Sequence, residues 1–392
     1  MRPRVCREGQ GRLPSNLKST LFPSNTRFEA IHVDTETRYK LCARNLQEVI
    51  TQEELRNLLE TNDHPKGYVG FEPSGMMHAG IALIVGRKMK DWVDAGFDWV
   101  IYLADWHGWI NNKLGGVLEN LRVGGEYFKD CFTALGLPEV DVRYPWAADL
   151  YDGIEYWEKV VRVMKSTTLR RVLRAMPIMG RTADSSEVEA AFTLYPPMQV
   201  SDIFQMDLDV AAGGMDQRKV HMLTREVAPR LGFKTPVCLH SPLLPGLQQA
   251  TVEGVFDEDS SINRSIKAKM SKSIEKGAVW VTDKPDVIRG KYRDAFCPPK
   301  QVECNPVLDH ARLVVFPHLG ILEIERPSKY GGDLTVEGFE ELAKLYEAEE
   351  LHPLDLKMGV AEAFIKILEP VRRYFERKPE NLDRVSKLRV TR

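Results

Sequence analysis

A short strand that ends in a glycine turn is the feature that most constrains the fold of this chain. Gly67–Phe71 has the composition of a strand, and Glu72–Gly75 follows it as a tight turn. Apolar residues then recur at helical spacing from Ala82 to Val93, and a second, nearly all-apolar strand is predicted at Trp99–Ala104. Strand, turn, helix and buried strand open a parallel α/β sheet, which binds ligands at the carboxyl ends of its strands. We therefore predict an α/β fold with a Rossmann-like parallel-sheet domain.

The chain divides into four predicted regions. Residues 1–38 show no clear period and are predicted to form a loosely ordered extension. The Rossmann-like domain covers residues 39–245 and carries a mostly helical insertion at about 115–193. Residues 246–280 are rich in Gly, Ser, Asp and Lys and are predicted to be a mobile loop. Apolar stripes at helical spacing predict an α-helical domain over residues 281–392.

Further signals locate elements within the sheet domain. Apolar residues recur at helical spacing from Tyr39 to Leu59, and Thr51 supplies a helix start within that segment. A third strand is predicted at Leu208–Ala212, ending at two glycines and followed by a helix from about Asp216. The fourth strand is predicted at Pro236–His240.

Composition limits the classes of function. The 392 residues carry 54 basic and 56 acidic side chains, so any contact with nucleic acid must come from local patches. No segment approaches the ~18 uninterrupted apolar residues of a membrane helix, and the basic N-terminus lacks the apolar core of a secretory signal. Six scattered cysteines predict neither a disulfide framework nor a zinc site. We expect a soluble, cytoplasmic protein without a tightly bound cofactor or metal.

The strongest motif is Lys269-Met270-Ser271-Lys272-Ser273. Two lysines around small hydroxyl residues in a flexible segment can close over a triphosphate and stabilise the charge that develops on pyrophosphate. A solvated basic loop is the alternative, but all five residues match and lie between an α/β and a helical region. The segment resembles the KMSKS signature of class I aminoacyl-tRNA synthetases, which implies catalytic roles for Lys269 and Lys272 and an ATP contact for Met270.

An upstream turn resembles the HIGH motif that accompanies this signature. In Ser74–Ile81, His78 stands at a helix start where it can donate to phosphate oxygens, and Gly80 permits close approach of adenine. The segment departs from the family pattern, since Ile81 stands where the second histidine is usual. The resemblance implies ATP binding by His78, Gly80 and, in the first strand, Gly70. Lys269 and Lys272 then carry more of the phosphate contact.

A third segment places polar side chains on an otherwise apolar helix. Two prolines, which the first turn tolerates, open a helix on which Gln199 and Asp202 share a face with Ile203 and Met206. Buried polar groups of this kind need hydrogen-bond partners, and pairing of Asp202 with an arginine is the alternative to a ligand. The pattern resembles the tyrosine pocket of archaeal and eukaryotic tyrosyl-tRNA synthetases. That resemblance implies phenol binding by Tyr68 and Asp202, and binding of the amino group by Tyr195, Gln199 and Gln217.

The predicted third strand ends in Gly213–Gln217, which resembles the GGxDQ turn of the same family. Glycines at a strand end let a ribose lie against the backbone, and Asp216 can accept hydrogen bonds from its hydroxyls. The resemblance therefore assigns Gly214 and Asp216 to ATP. It also assigns Arg218 and Lys219 to the first base pair of the tRNA acceptor stem, although two solvated helix cations would look the same.

Two C-terminal segments resemble the anticodon-reading parts of the archaeal enzymes. They contain Tyr330, followed by two glycines, and His352 with Asp355 three residues later. An exposed aromatic ring can stack on an unpaired base, and a carboxylate can accept hydrogen bonds from another. The alternative for Asp355 is a carboxylate that complements the positive end of a helix. The resemblance implies that residues 281–392 form an anticodon-binding domain.

Together these resemblances imply a tyrosine–tRNA ligase. It would form tyrosyl-adenylate from tyrosine and Mg²⁺-ATP, then transfer the tyrosyl group to the 3′ end of tRNA(Tyr), releasing AMP and pyrophosphate. Family members resembling this chain are homodimers through the insertion, where apolar side chains are the candidates: Tyr127, Phe128, Phe132 and Leu135. The alternatives are a tryptophanyl-tRNA synthetase, a catalytically silent RNA-binding paralogue and a small-molecule nucleotidylyltransferase.

Overall fold

A five-stranded mixed sheet forms the centre of the N-terminal half of the protein. The computed structural model describes residues 34–179, 189–249, 256–271 and 275–388. The sheet has the order β1-β5-β4-β2-β3, in which β1 is antiparallel to β5 and the other neighbours are parallel. The strands are β1 (Glu48–Ile50), β2 (Lys66–Phe71), β3 (Asp98–Leu103), β4 (Val210–Gly214) and β5 (Val237–Ser241). The predicted α/β fold with a Rossmann-like parallel sheet is confirmed.

Helices cover both faces of the sheet and form most of the remaining chain. A π-helical turn, Gly80–Gly86, leads directly into α3. The helices of the first half are α1 (Thr35–Ala43), α2 (Gln52–Thr61), α3 (Arg87–Asp94), α4 (Asp105–Ile110), α5 (Leu118–Ala134), α6 (Ala147–Leu150), α7 (Ile154–Lys165), α8 (Leu169–Leu173), α9 (Tyr195–Gln205) and α10 (Arg218–Leu231). Those of the second half are α11 (Ser260–Ala268), α12 (Pro285–Arg293), α13 (Pro306–His310), α14 (Phe316–Leu319), α15 (Phe339–Glu347), α16 (Pro353–Arg377) and α17 (Glu380–Ser386).

Alternation along β2 and β3 divides the apolar core into two clusters. Val69 and Ile101 face one cluster, which continues into the C-terminal helices. Tyr68 and Tyr102 face the other, which contains α7 of the insertion and α9 that follows it. Successive side chains of a strand point to opposite faces, so the sheet carries two different environments. The face with Tyr68 is the one that carries buried polar groups.

The order of the strands places a ligand crevice beside β2. The chain runs through β2 and β3, makes the helical insertion, and returns through β4, which pairs with β2 on its other side. The carboxyl ends of β2 and β4 therefore meet where the direction of strand addition reverses, the usual ligand site of such sheets. The turn after β2 requires a glycine, because Gly75 has a φ of 107°.

Several local predictions need correction. The segment Tyr39–Leu59 is not one helix, because β1 separates α1 from α2 and forms the sheet edge. The helix start at Thr51 is confirmed by a capping box with Glu54. The loop predicted at 246–280 contains the helix α11, and the C-terminal region contains a two-stranded hairpin of β6 (Leu322–Ile324) and β7 (Leu334–Val336).

Strand ends also differ from the sequence-based expectation. The third strand reaches Gly214, so the two glycines belong to the strand, and α10 begins at Arg218 after a 3₁₀ turn. The strand predicted at Pro236–His240 lies one residue later. Most of the extension predicted at 1–38 and part of the 246–280 segment lie outside the described residues.

The apolar residues predicted for a dimer interface lie in the core. Tyr127, Phe128 and Phe132 on α5 are fully buried within the chain, and Leu135 is partly buried against the same core cluster. Tyr127 stacks on Phe375 of α16 with ring centroids 5.4 Å apart, and Phe128 and Phe132 pack near Phe71 at the end of β2. These rings join the sheet domain to the C-terminal helices. Within the described part of the chain, no helix is long and apolar enough to span a membrane.

Candidate active site

The floor of the crevice is built around the carboxylate of Asp202. Pro196 and Pro197 occupy the first positions of α9, as predicted, and the helix carries Asp202 into the core, where it is 1% exposed. The Tyr156 hydroxyl of α7 donates to Asp202 Oδ1 at 2.8 Å. Burial raises the pKa of Asp202 to about 8, although hydrogen bonds from nearby tyrosines oppose the shift. In the part of the chain that the structure describes, no arginine pairs with Asp202, contrary to the alternative weighed for it.

Tyr68 lies on β2 in the same crevice. Its hydroxyl is buried and has no hydrogen-bond partner among the described residues. Burial raises the pKa of Tyr68 far above its usual value, and the nearby Asp202 carboxylate raises it further. A buried hydroxyl without a partner is costly, so it indicates a site for a polar ligand group between Tyr68 and Asp202.

Residues that the sequence did not single out complete this floor. His107 on α4 has Nε2 at 3.5 Å from Asp202 Oδ2, and burial lowers the pKa of His107 to about 3. The imidazole is therefore neutral, and the contact is not an ion pair. The Tyr102 hydroxyl donates to the Tyr151 hydroxyl at 3.1 Å, and the Tyr151 hydroxyl lies 3.3 Å from His107 Nδ1. The result is a buried cluster of phenols around one carboxylate.

The outer end of the crevice is lined by amide and hydroxyl groups. Gln199 Nε2 donates to Gln217 Oε1 at 3.0 Å, so these predicted residues are brought together. The Tyr195 hydroxyl donates to Glu72 Oε1 at 2.6 Å, and Asn111 Nδ2 donates to the same carboxylate at 3.1 and 3.2 Å. Glu72 was not predicted, although its position directly after β2 is where such folds bind ligands. A cationic ligand group at this end could accept no hydrogen bond but could donate to the Tyr195 oxygen, which is itself hydrogen-bonded to the Glu72 carboxylate.

Asp216 and Lys269 meet beside the end of β4. Lys269 Nζ donates to Asp216 Oδ2 at 2.8 Å, and Gln217 Nε2 lies 3.5 Å from Asp216 Oδ1. Met270 is buried, and its backbone N–H donates to Leu244 O at 2.7 Å, which anchors this end of the KMSKS-like segment. Lys272 lies outside the described residues.

Close backbone packing surrounds the same edge. A Cβ on Gly214 would lie 2.8 Å from Asp216 Oδ1, and one on Gly80 would lie 3.0 Å from His78 Nδ1. Gly70 has more room, with its nearest ring atom, from Tyr102, at 3.4 Å. Ala79 N donates to Val279 O at 2.8 Å, so the HIGH-like turn is joined by backbone hydrogen bonding to the segment that follows the KMSKS-like motif.

Two cations begin α10 at the rim of the crevice. Arg218 Nε donates to both carboxylate oxygens of Glu48 at 2.9 Å. Lys219 Nζ donates to Phe256 O at 2.7 Å and lies 3.5 Å from Asp257 Oδ2. Both side chains are therefore held in place at the edge of the site.

Comparisons with known proteins agree with this geometry. The family model described as "tRNA synthetases class I (W and Y)" matches residues 60–253 and 261–369. The tyrosine–tRNA ligase of Aeropyrum pernix is 46% identical over 344 residues, covering 87% of this chain and 94% of the relative. That of Sulfurisphaera tokodaii is 44% identical over 350 residues, covering 89% of this chain and 95% of the relative. The chain belongs to the tyrosyl-tRNA synthetase family.

Solved structures of the family agree in fold. The tyrosyl-tRNA synthetase of Pyrococcus horikoshii, complexed with L-tyrosine, is 39% identical with a TM-score of 0.84, over 91% of this chain and 100% of that one. The Aeropyrum pernix enzyme is 41% identical with a TM-score of 0.79, over 91% of this chain and 99% of that one.

The predicted anticodon residues of this synthetase lie at the start of α16 and in the turn before β7. Tyr330 is 60% exposed, beneath the Lys329 ammonium at 4.7 Å from its ring centroid. His352 caps α16, because its Nδ1 accepts from Leu354 N at 3.1 Å. Asp355 lies in the first turn of α16, a position that suits both of the roles weighed for it.

Proposed function

We propose that this tyrosine–tRNA ligase binds tyrosine with its phenol on the floor of the crevice. Asp202 has one oxygen on Tyr156 and a second that faces His107 at 3.5 Å, so a phenol can donate to it. Tyr68 supplies the other contact to the phenol oxygen. The single observation that carries the proposal is this buried carboxylate beside the Tyr68 hydroxyl, for which the described residues supply no hydrogen-bond partner.

The remaining groups of the substrates are proposed to lie along the crevice, from the outer side of the phenol site to the strand ends. Tyr195, Gln199 and Gln217 are proposed to bind the amino group, with Glu72 adding negative charge through Tyr195. ATP then lies across the ends of β2 and β4. Its proposed contacts are Gly70, His78, Gly80, Gly214, Asp216, Lys269, Met270 and Lys272.

The proposed chemistry has two steps and needs no nucleophilic side chain. The tyrosine carboxylate attacks the α-phosphate of Mg²⁺-ATP, breaking the bond to pyrophosphate, and the tRNA ribose hydroxyl then attacks the acyl carbon and displaces AMP. Positioning and charge stabilisation account for phosphoryl transfer of this kind. Lys269, Lys272 and His78 are the groups proposed to stabilise the phosphate charge. Because the reaction supplies aminoacyl-tRNA for translation, we propose that the protein acts in the cytoplasm.

Amino-acid-dependent exchange of labelled pyrophosphate into ATP tests the function directly. We expect exchange with tyrosine and none above background with tryptophan, because Asp202 and Tyr68 suit a phenol. Addition of tRNA(Tyr) should then give tyrosyl-tRNA. Exchange with tryptophan but not tyrosine would show that the enzyme activates tryptophan. No exchange with either amino acid would indicate a catalytically silent RNA-binding paralogue.

Two sets of side chains are proposed to contact tRNA. Arg218 and Lys219 lie at the rim of the crevice, where the acceptor end must enter to reach the adenylate. Tyr330, His352 and Asp355 belong to the C-terminal region, which is proposed to read the anticodon. Lys357 donates through Nζ to Arg293 O at 3.1 Å. It and the basic C-terminal segment from Arg372 to Arg392 should add salt-dependent attraction to the RNA phosphates.

Substitution of Asp355 tests the anticodon assignment. Asp355→Ala should reduce discrimination between wild-type and anticodon-altered tRNA by roughly 1–3 kcal/mol, by analogy with single base contacts in DNA recognition. Pyrophosphate exchange should remain at the level of the parent. Aminoacylation kinetics with both tRNAs measure the effect, and Glu362→Ala on the same helix is the control. A variant that ranks the tRNAs as the parent does would leave Asp355 as a helix-terminal carboxylate.

A homodimer is proposed through an apolar stripe on α7 rather than through the buried rings of α5. Ile154, Val161 and Met164 are 80%, 53% and 38% exposed, and their spacing places them on one face of the helix with Trp157. The Trp106 ring lies 6.1 Å from that of Trp157 and extends the patch. Apolar patches rich in aromatic rings are typical of interfaces, and two-fold dimers are the commonest assemblies.

We expect a dimer at micromolar concentration that dissociates when charge enters this stripe. The variant Ile154→Glu with Val161→Glu should sediment as a monomer, because two carboxylates would be buried at the interface. Val287→Glu, which changes an exposed apolar residue on α12, is the control. Sedimentation velocity decides, and a parent that is monomeric at this concentration would refute the proposal.

A further inference from the structure

Arg218 is held by an acidic residue from the far edge of the sheet. Glu48 lies on β1, the short antiparallel strand that the sequence did not reveal, and is separated from Arg218 by 170 residues. Both carboxylate oxygens accept from Arg218 Nε at 2.9 Å. Among the described residues, no hydrogen bond reaches the terminal guanidinium nitrogens of Arg218. They remain donors for a further acceptor.

Two buried histidines hold the carboxylate from the opposite side. His240 Nδ1 lies 2.8 Å from Glu48 Oε2, and His240 Nε2 lies 2.9 Å from His221 Nδ1. If each Nδ1 carries the proton, His240 donates to Glu48 and accepts from His221, so both contacts are satisfied. His221 packs against β4, with its Cε1 3.6 Å from the position that a Cβ on Gly213 would take. The carboxylate is thus fixed to the strand that ends at the proposed ATP site.

In this network the Glu48 carboxylate is ionised and the His221 ring is neutral. Burial raises the pKa of Glu48, but hydrogen bonds from His240 and Arg218 outweigh it, so the pKa is below the ordinary value and the carboxylate is ionised at neutral pH. Burial and the neighbouring His240 lower the pKa of His221 well below its usual value, so that ring is neutral. The pair of Glu48 and Arg218 is therefore a charge-assisted contact between two partly exposed side chains.

We propose that Glu48 is a positioning residue that orients the Arg218 guanidinium towards the acceptor end of tRNA. The inference rests on the proposed function, in which Arg218 contacts that end. An arginine side chain has roughly 2 kcal/mol of rotamer entropy, and a carboxylate that holds Nε removes part of this freedom before RNA binds. Because the contact uses Nε, the two terminal nitrogens keep their hydrogens for a further acceptor. Glu48 touches neither tyrosine nor ATP in this arrangement.

Removal of Glu48 should therefore affect one step of the reaction. In Glu48→Ala we expect tyrosine-dependent pyrophosphate exchange at the parent rate, and single-turnover transfer from preformed adenylate to tRNA slowed on the order of tenfold. Glu48→Gln should give a smaller loss, because its amide oxygen can still accept from Arg218. The double variant Glu48→Ala with Arg218→Ala should be no slower than Arg218→Ala alone, since Glu48 acts through that side chain.

Glu54→Ala is the matched control. Glu54 lies in the first turn of α2, in the capping box with Thr51, and accepts from Arg225 Nη2 of α10 at 2.9 Å, so its loss breaks a different ion pair to the helix that carries Arg218. Transfer should be unchanged in this variant. Thermal unfolding of all variants measures any structural damage, and Glu48→Gln decides the test if Glu48→Ala does not fold.

Three results would overturn the proposal: equal slowing of exchange and transfer in the Glu48 variants, full additivity with Arg218→Ala, or transfer as fast as in the parent. Failure of the proposed function looks different. In that case the parent shows no tyrosine-dependent exchange, or Arg218→Ala itself transfers normally to tRNA.

Discussion

Replacement of Asp202 by alanine is expected to impair tyrosine activation more than any other change in the pocket. The carboxylate is 1% exposed and would accept a hydrogen bond from the substrate phenol in a buried environment. Above about pH 8, where Asp202 is ionised, its hydrogen bond to the phenol involves a charged group and contributes roughly 1.5–3 kcal/mol, so kcat/KM for tyrosine in the exchange reaction should fall about 10–100-fold. Tyr68→Phe removes one neutral hydrogen bond, worth roughly 0.5–1.5 kcal/mol, and should be milder.

The measurement needs a control for folding, because Asp202 also accepts from Tyr156 at 2.8 Å. Asp209→Ala is suitable, since Asp209 binds Lys66 N and Lys234 Nζ at the other end of β4. The Asp209→Ala variant should be less stable, but its KM for tyrosine should not rise. Wild-type tyrosine activation in Asp202→Ala would show that the substrate lies elsewhere.

The same carboxylate predicts a dependence of stability on pH. Burial raises the pKa of Asp202 from 3.8 to about 8 in the folded protein. A raised folded pKa means that the contribution to stability is fully present below pH 3.8 and is lost as the pH rises towards 8. The Asp202→Asn variant does not titrate at this position. The difference between its urea midpoint and that of the parent should therefore shift in favour of the variant as the pH rises through this range, and should become constant above it. Parallel midpoints would indicate a carboxylate that is already ionised in the folded state.

How much of the site could be predicted depends on how local each signal is. Thr51 with its capping box, the prolines that open α9, and the glycine turn after β2 are determined by neighbours in sequence, and all were predicted. Asp202 was also found, because a carboxylate on an apolar helix face requires a partner. Its partners Tyr156 and His107 come from α7 and α4, and only packing of the insertion on the sheet brings them together.

The same reasoning explains the errors. Glu48–Ile50 has three residues and no alternating pattern, so β1 is specified by its pairing with β5 rather than by its own composition. Tyr127 and its neighbours on α5 are apolar whether they face a second subunit or α16, which lies about 250 residues further along the chain. Apolar periodicity identifies a face that must be covered, but not the element that covers it.

Lys269 is expected to control the rate of adenylate formation without controlling tyrosine binding. In this structure its ammonium lies 2.8 Å from Asp216 Oδ2, at the end of β4 where the ribose and phosphates of ATP are proposed to lie. The lysine is thus close to the nucleotide and away from the phenol end of the crevice. A cation acts most strongly where charge develops, which here is the leaving pyrophosphate.

We therefore expect Lys269→Ala to slow single-turnover adenylate formation on the order of 10²–10³-fold, the range found when one preorganised charge-stabilising donor is removed. The dissociation constant for tyrosine should change little, because Lys269 lies outside the amino-acid pocket. Lys267→Ala is the matched control: it removes the same charge two residues earlier, in the last turn of α11. Rapid quench kinetics and an equilibrium tyrosine titration separate the two effects. A variant with weakened tyrosine binding and an unchanged chemical rate would exclude Lys269 from the chemistry and leave it as a partner of Asp216.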